Sequence, residues 1–337
     1  MSHLFRRRVP TVAVSLALAA VTAVACGKSD EPAAPSGPRI TSAYALPDDR
    51  AYPEGIAADP RTGDTYVGSY TNGAVYRAAR GAQRAEVFLP AGADGRKTAN
   101  GLRVDQAGRL WVIDSTKGVT VYDIATRAAL ARFEITGTAA HFVNDLAITP
   151  DGTAYLTDSM RGVVYRVTPA QVTDAQANGG RADLTVAVDL NPSLAAHGPD
   201  AITLNGIVAD AAGRYLLVVD MTAGELHRIA LNPADPAPIR KVTLRGGDVK
   251  HGDGLELNGD TLWVVQNTAN TIARWRLTDD YTTATLETTL TNESLSIPTT
   301  LTHADNHLLV VASQFDKGGP MGQGTPAPFA VLAVDNL

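Results

Sequence analysis

PEGIAAD at residues 53–59, ANGLRVD at 99–105, VNDLAIT at 143–149, LNGIVAD at 204–210, GDGLELN at 252–258 and PTTLTHA at 298–304 are six versions of one short phrase. Their second residues are Glu54, Asn100, Asn144, Asn205, Asp253 and Thr299, separated by 46, 44, 61, 48 and 46 residues. A period near 45 residues repeated six times is the spacing of propeller blades. The phrase therefore predicts an all-β chain, a six-bladed β-propeller with one anchor phrase opening the innermost strand of each blade.

Working outward from each anchor, an apolar, β-branched or aromatic run follows at near-constant distance: TYVGS, LWVID, AYLTD, LLVVD, LWVVQ and LLVVA. Turn signals such as Pro150-Asp151-Gly152 and Asn258-Gly259-Asp260 separate it from the anchor strand. Third strands follow in AVYRA, VTVYD, VVYRV, ELHRI, IARWR and FAVLAV, and fourth strands in AEVFL, RFEIT, LTVAV, RKVTL and TLETT. Blade six has no fourth strand of its own, whereas the run ITSAYAL at 40–46 precedes the first anchor and belongs to no blade. Pairing that N-terminal strand with the last blade closes the ring and removes two open sheet edges. The long interval contains an insertion between Thr168 and Asp200, rich in Ala, Gln, Asn and Gly, which is expected to form a loop or short helix at the rim. Trp111, Trp263 and Trp275 fall inside strand patterns and are expected to fill the layers between blades.

The chain has 337 residues, 45% of them hydrophobic and 19% charged, which is the balance of a globular protein rather than a disordered one. Its net charge of -6 comes from mixed signs without a basic block in the ring region, which argues against a nucleic-acid partner and for a small molecule. At the N-terminus Arg6, Arg7 and Arg8 precede an apolar run from Val9 to Ala25 that ends in small residues, the order of a signal peptide. Ala23-Val24-Ala25-Cys26 resembles the lipobox of bacterial lipoproteins. The sequence thus divides into a lipoprotein signal peptide at 1–25, a lipidated Cys26 with a flexible tether at 26–39, and the ring at 40–337. That division predicts an exported protein held by its lipid on the outer face of the bacterial cytoplasmic membrane or in the cell envelope, with no other membrane contact. The single cysteine excludes an internal disulfide.

In a propeller, equivalent residues at the starts of the inner strands converge on the axis, so the anchors gather two carboxylates, three amides and a hydroxyl. Such oxygen donors suit calcium better than zinc or copper. Asn and Asp before Gly are also ordinary turn residues; their recurrence at one place in successive repeats favours the ligand reading. Glycine follows the anchor in four blades, as Gly55, Gly101, Gly206 and Gly254, where a missing side chain lets backbones approach. Thr299 marks the blade expected to give no ligand.

The series Glu-Gly in blade one, Asn-Asp in blade three, Asn-Gly in blade four and Asp-Gly in blade five resembles the senescence marker protein/gluconolactonase family. That family belongs, with paraoxonases and diisopropyl fluorophosphatase, to a larger set of six-bladed calcium-dependent propellers. The resemblance implies that Glu54, Asn144, Asn205 and Asp253 ligate a catalytic calcium, that Asn100 lies beside it in the substrate region, and that Asp145 supports the shell or a second, structural ion. Sugar-lactonase members carry an arginine two residues before the blade-three Asn; here that position is Phe142, which suits a less polar lactone or ester.

The expected activity is calcium-dependent hydrolysis of a lactone or related ester, with Asp253 as general base or nucleophile besides its role as ligand. His141 and His251, on the loops entering blades three and five, are candidate proton carriers. The alternative is a non-enzymatic surface propeller that binds a ligand or partner protein and holds a structural calcium in the same channel.

Overall fold

The computed structural model describes residues 37–337, so the signal peptide, Cys26 and most of the tether lie outside the described residues. The strands form six separate sheets in ring order, antiparallel through their four main strands and each with an anchor strand innermost: Pro53–Ala58, Leu102–Val104, Val143–Ile148, Leu204–Ala209, Gly252–Asn258 and Pro298–Ala304. The fold is a six-bladed β-propeller.

Alternation along each strand explains the packing. Successive side chains point to opposite faces of a sheet, and in a ring both faces meet a neighbouring blade. In blade two, Leu110 and Val112 enter the apolar layer shared with blade one, while Trp111 and Ile113 enter the layer shared with blade three. Trp275 fills the junction of blades four and five, and Trp263 lies at that of blades five and six, edge-on to His303. Every junction, including that of blade six with blade one, has its own cluster of buried side chains. The tryptophans pack as expected.

Closure follows the expected route, with the ring beginning at Arg39. Arg39–Ala45 is the outer strand of blade six and pairs antiparallel with Ala330–Asp335, from Arg39 opposite Asp335 to Ala45 opposite Ala330. Its end then crosses to blade one, where Ala45 N–H donates to Gln83 O and Ala85 N–H to Ala45 O.

Two features depart from a simple four-stranded count. Within the insertion, Pro169–Ala177 is a helix started by Pro169 and by a capping box in which Thr168 and Gln171 bond each other's backbone N–H. It buries Val172 and Ala175 against the layer between blades two and three, and Arg181–Asp183 then adds a fifth strand, parallel, to blade two. The run RKVTL, expected as one strand, is split: Ile239–Lys241 finishes blade four and Thr243–Arg245 joins blade five in parallel. Buried Val242 lies between the two pieces.

Candidate calcium site and cavity at the channel mouth

In five blades the ladder between first and second strands slips at the anchor: Pro53 pairs with Ser69 and Ile56 with Val67, leaving Glu54 and Gly55 unpaired, and blades three to six repeat this. Such a bulge turns the backbone and re-aims a side chain. A Cβ on Gly55 would stand 2.2 Å from Asn100 O, and one on Gly206 2.2 Å from Asp253 O. Glycine here serves contact between one anchor and the next, as the sequence suggested, and not a hairpin turn.

Glu54, Asn100, Asn144, Asn205 and Asp253 are all buried and line one cavity of about 260 Å³ together with Phe142. Another cleft of about 270 Å³ lies at the outer edge between blades one and six, lined by Thr41, Arg80, Asp305 and His307 among others; no anchor reaches it.

The anchors' hydrogen bonds are incomplete in a consistent way. Asn144 donates through Nδ2 to Ser159 Oγ (3.0 Å), which leaves its Oδ1 without a partner. Asp253 Oδ2 accepts from Asn267 Nδ2 (2.8 Å), and Asn205 Nδ2 lies 3.3 Å from Met221 Sδ. Glu54 Oε2, Asn100 Oδ1 and Asp145 Oδ2 are likewise buried with no partner. Buried acceptors are normally satisfied, and the three orphaned oxygens on cavity-lining residues, Glu54 Oε2, Asn100 Oδ1 and Asn144 Oδ1, would be satisfied by a cation. Among the described residues no three His, Cys, Asp or Glu side chains form a metal-binding group, so an ion here would rely on the amides as well as on Glu54 and Asp253. That donor set fits calcium.

Burial, reinforced by the carboxylates of Asp253 and Asp145, raises the Glu54 carboxyl well above its ordinary range. Burial also raises Asp253, to about 7, against the opposing hydrogen bond from Asn267. The ion-free site is therefore charged only at a cost that a bound dication would remove.

Thr299 does not line the cavity. Its hydroxyl bonds Glu54 O (2.7 Å) and Ser313 Oγ (2.7 Å), the structural part expected of it. The two histidines are placed differently from expectation. Neither His141 nor His251 lines the cavity. His141 turns its ring nitrogens to Ala139 O (3.2 Å) and Thr116 O (3.0 Å). His251 is exposed and acts through its backbone, donating to Met221 O and accepting from Asn267 N–H at a left-handed φ of 60°.

Two sets of residues were not anticipated. Tyr70, Ser159, Met221, Asn267 and Ser313 each follow a second strand, 14 to 16 residues after their anchor, and all but Ser159 and Ser313 line the cavity. The regularity was available in the repeat, but their mixed chemistry hid it. The second set is Phe315, Pro320 and Met321, on the long connection between His307–Ala312 and Ala330–Asp335. Tyr52 Oη donates to Lys317 O there (2.9 Å), and the Gln314 side chain makes two bonds to the Ala327 backbone. With Phe142, Ile202, Met221 and Tyr70 they give the cavity an apolar wall facing the anchors.

No protein-family model and no curated protein sequence matches the chain. Solved structures do. The major allergen Mala s 1 of Malassezia sympodialis is similar at a TM-score of 0.60 and 16% identity over 88% of this chain and 96% of that one. A gluconolactonase from Xanthomonas campestris gives 0.59 and 16% over 88% and 89%, and virginiamycin B lyase from Staphylococcus aureus 0.54 and 12% over 89% and 100%. These neighbours share the propeller. They include an allergen, a gluconolactonase and a lyase, so the fold leaves the chemistry to the site.

Proposed function

We propose that this propeller is a calcium-dependent hydrolase of a lactone or related ester with an apolar body, exported and lipid-anchored through Cys26. The observation that carries this reading is the set of buried, unpartnered oxygens facing a cavity whose other wall is apolar. The structural likeness to a gluconolactonase supports it.

Glu54, Asn144, Asn205 and Asp253 would hold the ion, with Asn100 beside it. Bound there, calcium would polarise the ester carbonyl and stabilise the negative charge that grows on its oxygen. Phe142, Ile202, Phe315 and Met321 would hold the apolar part of the substrate and exclude bulk water. Asn267 holds the Asp253 carboxylate in place through Oδ2, and that carboxylate, besides ligating the ion, would take the proton from the attacking water and return it to the departing alkoxide. No part is assigned to His141 or His251.

The test joins metal analysis to a substrate screen. The purified protein should retain calcium, lose it with a chelator, and hydrolyse alkyl- or aryl-substituted lactones and aryl esters faster than sugar lactones, only with the ion present. Calcium binding without hydrolysis of any lactone, ester or phosphotriester would turn the reading to a ligand-binding surface propeller. Absence of calcium binding would end the mechanism altogether.

A further inference from the structure

Two departures from the repeat touch each other. The position three residues after the anchor is Ala57, Ala147 and Val208 in blades one, three and four, where it joins the apolar layers. In blade two it is Arg103. The position directly after the anchor is glycine in four blades, whereas blade three has Asp145. Arg103 Nη2 lies 3.6 Å from Asp145 Oδ2, and both atoms lack a hydrogen-bond partner. The guanidinium is held instead through Nη1, which donates to Leu102 O (2.8 Å), and Asp145 Oδ1 accepts from Leu146 N–H (2.8 Å). The two charges therefore face each other at ion-pair distance without a direct hydrogen bond, each side chain tied to backbone through its other polar atom.

Charge balance gives the pair a purpose. The buried carboxylates of the channel are Glu54, Asp145 and Asp253, and Arg103 is the cation that acts on the first two. Glu256, the next acidic group, is partly exposed and accepts from His303 N–H (3.1 Å), with His303 Nδ1 at 3.2 Å. Arg103 thus reduces three buried negative charges to two, the charge of one divalent ion. We propose that Arg103 is a permanent counter-cation of the channel, taking the place of a second metal ion at Asp145, so that the propeller holds one calcium and not two. The proposal rests on the calcium reading above.

Calcium titration of the full-length protein by calorimetry tests it, with circular dichroism and melting as a check on folding. The wild type and Arg103→Lys should bind one ion per chain. Arg103→Met should bind the first ion roughly tenfold tighter, because a nearby positive charge is gone, and take up a second. Combining Arg103→Met with Asp145→Asn should restore one ion and an affinity near that of the wild type. If Arg103→Met does not fold, Asp145→Asn alone serves, and should bind one ion roughly tenfold more weakly. Two ions in the wild type, or unchanged number and affinity in Arg103→Met, would overturn the proposal while leaving the calcium site intact. No ion in the wild type would defeat the calcium reading and the proposal with it.

Discussion

Blades three and six stand on opposite sides of the channel, and each is joined to the next blade in the same way. In each, a serine following the second strand donates to the carbonyl that precedes the next anchor: Ser159 to Leu204 O, and Ser313 to Pro53 O. They differ in the anchor. Thr299 has one hydroxyl, whose proton goes to Glu54 O, with Ser313 Oγ packed beside it, so its bonding is completed within the protein. Asn144 has a donor and an acceptor; the donor meets Ser159 and the acceptor meets nothing. The same bulge therefore builds a closed joint in one blade and an open ligand in the other, according to whether the side chain has an oxygen to spare.

The strongest way to break this contrast is to remove charge from the open side. Glu54→Gln and Asp253→Asn should each weaken calcium binding by about a hundredfold, read by titration calorimetry. Excess calcium should restore much of the activity of the Glu54 variant and little of the Asp253 variant, because only Asp253 also moves a proton. Equal recovery would confine Asp253 to ligation.

On the closed side, Thr299→Val leaves Glu54 O without its hydroxyl donor and should destabilise the fold by about 1–3 kcal/mol, the cost of an unsatisfied buried group. Thermal melting would show it, with calcium affinity little changed. Asn144→Ala should do the reverse, with calcium binding roughly tenfold weaker and the ion-free melting temperature unchanged or slightly higher, since an orphaned acceptor is gone. A loss of ion-free stability in that variant as large as in Thr299→Val would erase the distinction.

The smallest effect is on pH dependence. Asp253 keeps its proton in the ion-free fold up to about 7, whereas an unfolded aspartate releases it near 4. Between those values the folded state binds more protons, so ion-free stability should fall as pH rises from about 4 to about 7. Calcium should remove that decline. Melting scans at several pH values, with calcium and with chelator, would sharpen the comparison, because Thr299 does not titrate in this range.

What was legible in the sequence follows the same division. Six anchors, their strands and the closing strand were readable because each blade repeats the same anchor phrase followed at near-constant distance by strand patterns. The convergence of Glu54, Asn100, Asn144, Asn205 and Asp253 followed from ring geometry. Arg181–Asp183 and Thr243–Arg245 were not readable as fifth strands, being three residues long and mostly polar at an outer edge. The wall of Phe315, Pro320 and Met321 stands on a long connection without periodicity. His141 and His251 were near the anchors in sequence, but loop direction, which no spacing rule encodes, turns their rings elsewhere.

The pairing of Arg39 with Asp335 constrains how the chain can fold. The first strand of the ring must find the last one, so the contact that completes blade six joins residues as distant in sequence as Arg39 and Asp335, 296 positions apart. Non-local pairing of this kind is slow. Until the C-terminal residues arrive, Arg39–Ala45 has no neighbour in blade six and Ala330–Asp335 has an open edge, and both are open to capture by another copy. A shortened C-terminus would therefore produce an unclosed ring able to exchange its first strand between molecules, rather than a smaller propeller.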